Sequence, residues 1–176
     1  MLECSENDRA LFSTMNNPLT REFNERLSNL KSLVGIVEES FVQKVITLNG
    51  EMTKSVEKLP ESQKHDLYES YGADCYELDT QLPTVFRYSI VTASNSAFEK
   101  YLADTADTYA NVRKELVKVR DFKGTGIIRS KQYLEKVVRM DFPDKGPAWQ
   151  GIVKVRDLRN CVVHDDGYIT EEKKIF

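Results

Sequence analysis

The sequence predicts an all-α protein, an up-and-down bundle of about five helices folded as a single helical domain over residues 1–176. Three observations predict it. Apolar residues recur every three or four positions over long stretches, which is the period of a helix face, and no stretch shows the two-residue alternation of a half-buried strand. Proline and glycine fall in clusters that cut the chain into segments of helical length. With 30% charged and 40% apolar residues, the composition is that of a soluble helical chain and not of a disordered or fibrous one.

Residues 1–17 form an N-terminal segment before the first element. After Pro18, Phe23, Leu27, Leu30, Val34, Val37, Phe41, Val45, Leu48, Met52, Val56 and Leu59 keep the helical step throughout. A helix of that length spans on the order of 60 Å, so Gly35 and Asn49-Gly50 are positions where it is expected to kink or break. Pro60 ends it. A second helix is expected over Ser62 to Gln81, with Leu67, Tyr71, Cys75 and Leu78, and Pro83 marks the start of a third, because proline favours a first helical turn.

The third helix runs to Tyr109, with Phe86, Ile90, Ala93, Ala97, Tyr101 and Leu102 on one side and a small, polar middle of Ser89, Ser94, Asn95, Ser96 and Glu99. A carboxylate in such a seam calls for a basic partner. Gly124-Thr125-Gly126 reads as a turn, and Ile127 to Met140 as a fourth helix with Tyr133, Leu134, Val137 and Val138 facing inward. Pro143 and Gly146-Pro147 break the chain again. The last helix runs from Ala148 to His164, where Asp165-Asp166-Gly167 stops it, and residues 168–176 are a short charged tail, flexible or belonging to a longer protein.

Function classes narrow with composition. No run approaches the roughly 20 apolar residues of a membrane span, and the N-terminus has neither the basic start nor the apolar core of a signal peptide, so a cytoplasmic protein without membrane contact is expected. Cys4, Cys75 and Cys161 are odd in number and scattered, which fits free thiols in a reducing compartment. The net charge of -3 hides an asymmetry: Arg113 to Arg139 holds nine basic residues against three acidic ones. Lys118, Arg120, Lys123, Arg129 and Lys131 in that stretch, and Arg156 beyond it, are candidates for phosphate contact, although such a run also serves simply as a solvated face. Cys161 and His164 supply only two metal ligands with no second pair, so no metal is expected. The glycines around Gly124 lack the glycine-lysine-serine order of a phosphate loop, and no cofactor is expected.

The strongest candidates stand on the last helix. At about 100° per residue with Trp149 at zero, Ile152, Val155, Leu158, Val162 and Val163 define an apolar arc from about 180° to 360°, with Arg159 inside it near about 280°. Such an arginine needs a carboxylate, for which Glu99 is the candidate, or else the arc faces another subunit or a ligand. His164 falls about 140° away, so one helix alone is not expected to join the two in a compact site. Asn160 and His164, four residues apart, are neighbours. Two copies about a two-fold axis would gather two arginines and two histidines.

Arg159-Asn160-Cys161-Val162-Val163-His164 is an arginine, four residues and a histidine, with a polar residue after the arginine, closing the final helix of an all-helical chain. Together with Ser94-Asn95-Ser96-Ala97-Phe98-Glu99 on an earlier helix, it resembles the HEPN superfamily (higher eukaryotes and prokaryotes nucleotide-binding), in the branch found in bacterial stress and phage-defence proteins. The resemblance spans Pro18 to Ile169 and is specific in the last helix and around Glu99. It implies a helical bundle, often a homodimer, and a metal-independent endoribonuclease of a bacterial defence or toxin–antitoxin system, with an RNA substrate and an antitoxin or larger defence complex as partner. On that resemblance Arg159 and His164 are catalytic, Asn160 holds the imidazole or binds phosphate, and Glu99 supports Arg159. The alternative it leaves open is a non-catalytic dimerisation or RNA- or protein-binding module.

Overall fold

The computed structural model describes residues 17–124 and 126–164. Among them are four helices and no strand, one helix fewer than the sequence suggests. We number them α1 (Pro18–Val56), α2 (residues 61–112), α3 (Gly126–Lys136) and α4 (Pro147–His164). The Asp165-Asp166-Gly167 stop and the two terminal segments lie outside the described residues.

Helix α1 runs unbroken through Gly35 and Gly50. Each glycine costs a helix about 1 kcal/mol relative to alanine, which the long packed seam outweighs. That seam is the periodic set of the sequence: Leu30, Val34, Val37, Phe41, Val45, Leu48 and Met52 are all half-buried. Pro60 is extended and ends the connection, and its carbonyl accepts the Gln63 N–H to open α2.

The missing fifth helix is explained at Pro83. Instead of starting an element, Pro83 lies within one continuous helix, which widens to a single π-turn over Glu77–Gln81 just ahead of it. Proline has no N–H and its ring crowds the carbonyl four residues back. The wider turn, in which the Leu82 N–H bonds the Glu77 carbonyl five residues earlier, lets the chain pass the proline without stopping.

By contact density the chain forms two compact units, residues 29–90 and residues 1–28 with 91–176, and α1 and α2 contribute to both. In the first, α1 and α2 pair antiparallel: Arg87 binds Glu38 with two 2.7 Å hydrogen bonds, Phe41 meets Phe86 at 6.1 Å, and Cys75 donates to Asn49. In the second, the pairing includes a Thr20–Tyr101 hydroxyl bond and Phe23 stacked on Tyr101 at 4.6 Å. This unit holds the core, in which Leu102, Ala106, Tyr109 and Ala110 of α2 pack with Ile127, Tyr133 and Leu134 of α3, Val138 and Trp149. Each of the large side chains there contributes about 1.5–3 kcal/mol by leaving water.

Two helix ends in this unit use left-handed residues that are not glycine. Lys114 (φ 53°) closes α2, with the Glu115 N–H reaching the Ala110 carbonyl. Arg139 (φ 58°) turns the chain after α3, which stops at Lys136 rather than near Met140 as its apolar spacing suggests. Val138 nonetheless stays in the core. On α4 the buried residues are Trp149, between Phe98 and Phe142, and Cys161. Of the apolar arc drawn from the sequence, Ile152, Leu158 and Val162 are half-buried. Val155 and Val163 are 37% and 48% exposed, while Trp149 turns inward.

Candidate functional site

Every residue singled out on the last helix opens onto one cleft of about 480 Å³, lined by Asn95 and Glu99 of α2, Gly126 and Ile127 of α3, and Arg156, Arg159, Asn160 and His164 of α4. Three helices build it. Asn95 and Glu99, four residues apart, share a face of α2, and the positive φ of Gly126 (54°) starts α3 beside them. Arg159 and His164, which the sequence places about 140° apart on α4, both line this cleft.

Arg159 is half-buried and its Nε is buried without a hydrogen-bond partner. Its Nη1 donates to Asn160 Oδ1 at 3.1 Å. The Arg159–Glu99 ion pair expected from the sequence is not among the ion pairs of the described residues. Glu99 turns instead to the start of α3, its carboxylate 3.1 Å from where a Cβ on Gly126 would sit, a place only a residue without a side chain leaves open. A carboxylate at a helix N-terminus is favoured by the unpaired N–H groups and the helix dipole there.

Arg156 carries its own counter-charge, since its Nε and Nη2 both reach Asp157 Oδ1, at 2.9 and 2.6 Å. Arg159 is thus the guanidinium of the cleft without a carboxylate partner among the described residues. His164, exposed at the end of α4, has no hydrogen-bond partner among them. Asn160 bonds to Arg159 and not to the imidazole, so the role of holding a tautomer is not expressed in this arrangement.

The basic residues of the 113–139 stretch divide. Lys118, Arg120 and Arg129 line a second cleft of about 520 Å³ with Asp107 and Asn111. The Arg129 Nε donates to the Gly124 carbonyl and so braces the turn before α3. Lys123 is exposed. Lys131 belongs to neither cleft: it binds Asp144 at 2.8 Å and Glu135 at 3.2 Å and stands over the Trp149 ring at 5.6 Å. Asp144 holds the Lys131 ammonium above its ordinary range, and Lys131 in turn pulls the Asp144 carboxyl down.

Asn95 is the site residue the sequence did not assign. It is 7% exposed, and its side chain has no hydrogen-bond partner among the described residues. Beside the charged cleft it also lines an apolar groove of about 380 Å³ with Phe23, Leu27, Phe98, Ile152 and Val155. No described helix is long and apolar enough to cross a membrane. Comparison with protein-family models, with curated proteins and with solved structures finds no match for this chain.

Proposed function

We propose that the protein is a metal-independent endoribonuclease of a bacterial defence or toxin–antitoxin system, acting as a homodimer in the cytoplasm. The observation that carries this reading is the gathering of Arg159, Asn160, His164 and Glu99 around one cleft. In the reaction the ribose 2'-hydroxyl loses its proton to an imidazole and its oxygen bonds to phosphorus. The phosphorus–5'-oxygen bond breaks, and the leaving oxygen takes a proton from an imidazolium. The products are a 2',3'-cyclic phosphate and a 5'-hydroxyl. General acid–base catalysis of this kind is worth about 10²- to 10⁴-fold. Arg159, without a carboxylate partner among the described residues, stabilises the charge gathering on the phosphoryl oxygens.

One histidine per cleft supports the homodimer, since two copies supply a base and an acid, and the exposed Val163 beside His164 offers apolar contact area. The resemblance of the last helix and of the Glu99 segment to HEPN proteins supports the biological setting, in which an antitoxin or defence complex restrains the enzyme. Incubation with tRNA and total RNA in EDTA tests it. Cleavage is expected to persist under chelation and to vanish in His164→Ala. RNA left intact by the native protein would instead support a non-catalytic binding module.

A further inference from the structure

We infer that Asn95 reads a nucleobase seated in the apolar groove while the phosphate of the same nucleotide lies in the arginine cleft. The inference rests on the nuclease reading and adds a specificity residue to it. Asn95 lines both cavities, so it stands where a ligand reaching from one to the other would meet a hydrogen-bonding side chain. Its amide carries two donor hydrogens and an acceptor oxygen and has no partner among the described residues, on a residue that is 7% exposed.

The chemistry on either side defines the ligand. On one side stands Arg159, without a carboxylate partner among the described residues, which suits an anion. On the other, the rings of Phe23 and Phe98, 5.9 Å apart, and the side chains of Ile152 and Val155 make a surface that is almost wholly apolar. A molecule with an anionic end, a flat apolar face and a hydrogen-bonding edge at their junction is a nucleotide. The groove volume of about 380 Å³ lies in the range of small-molecule sites. An asparagine side chain pairs in two-point fashion with a base edge, and losing such a pair costs about tenfold or more in discrimination.

The test measures binding of fluorescein-labelled adenylate, cytidylate, guanylate and uridylate RNA tetramers to the full chain carrying His164→Ala, so that nothing is cut. One base is expected to bind about tenfold or more tighter than the weakest. Asn95→Ala should bring the four to within about twofold of one another, and Asn95→Asp, which keeps the size but replaces the donor, should move the preference to another base. Arg159→Ala should weaken all four alike. Equal binding of the four tetramers, or a preference that survives both Asn95 substitutions, overturns the assignment. So does dissociation of a dimer by Val155→Asp with base preference unchanged, which would show a second copy filling the groove. If RNA is still cleaved in EDTA, only the Asn95 assignment falls. If RNA is neither bound nor cut, the nuclease reading falls with it.

Discussion

At the scale of single residues, what was legible depended on whether the partners lie close in sequence. Arg159, Asn160 and His164 sit within one helical turn and a half and could be picked out as a group, and Arg156 stood out as a nearby cation. Asn95 could not be chosen over Ser94 or Ser96 from the sequence, because only the meeting of α2 with α4 makes it the buried one. The pairing of Glu99 was misjudged for a related reason. An arginine was sought as its partner, but the carboxylate lies beside Gly126 at the start of α3, a neighbour with no side chain to reveal it. Gly126→Ala tests the arrangement. A side chain at φ 54° is strained by about 1–2 kcal/mol, and the new methyl would press on the Glu99 carboxylate at 3.1 Å. A melting temperature lowered by about 2–8 °C is expected, with a further loss of RNA cleavage as Glu99 is pushed into the cleft. Wild-type stability in Gly126→Ala would mean that Glu99 has room to leave.

At the scale of elements, periodicity located the seam of α1 residue by residue, since a helix that packs on one long partner repeats its apolar step without interruption. It failed where a helix solved a local problem by changing its own geometry. The π-turn before Pro83 is a register adjustment with no composition of its own, and proline otherwise signals a boundary. The junction of α3 with α4 is held by Lys131, whose side chain is 18% exposed and whose ammonium serves Glu135, Asp144 and the Trp149 face together. Lys131→Met keeps the length and removes the charge. It should destabilise by about 1 kcal/mol, or about 2–4 °C. The pH dependence follows from the two shifts. Asp144, held below the usual carboxylate range, contributes above about pH 4 and loses its contribution as pH falls through its lowered value; Lys131, held above its range, contributes until pH rises past about 10. The stability gap between native and Lys131→Met proteins should therefore be widest between those limits and close on acidification. Circular-dichroism melts from neutral to strongly acid pH measure it, and a gap independent of pH would assign the effect to packing on Trp149 alone.

At the scale of the whole molecule, the division into two compact units was invisible in the sequence, because α1 and α2 run through it with no linker, glycine cluster or change of period. What distinguishes the units is depth of burial. Among residues 29–90 only Pro83 is buried, and Ile36, Val42, Ile46 and Val85 are more than half exposed, whereas Tyr133, Ile127, Leu134 and Ala106 are nearly inaccessible in the other unit. Opening free energies follow buried apolar contact. Amides around Val37 to Leu48 should exchange with solvent deuterium roughly tenfold or more faster than those around Leu102 to Ala110 and Ile127 to Leu134. Uniform protection along α1 and the core helices would mean that the chain unfolds as one cooperative block.

The charge distribution belongs to the same scale and connects the fold to RNA. An acidic chain can still hold a polyanion if its cations are gathered, and Lys118, Arg120 and Arg129 are gathered at a cleft separate from the one that holds Arg159. If RNA crosses that second cleft, each phosphate it neutralises releases counterions, and the logarithm of affinity falls with the logarithm of salt concentration by about 0.7 per phosphate on a single strand. Replacing Lys118, Arg120 and Arg129 by alanine together should reduce that slope by up to about 2 and weaken RNA of any sequence alike. Lys131→Ala, by contrast, should leave the slope unchanged, since its ammonium is already committed to Glu135 and Asp144. Titration of labelled RNA at several salt concentrations separates the two. A slope untouched by the triple substitution would identify the basic stretch as a solvated face and leave the Arg159 cleft as the place where phosphate is met.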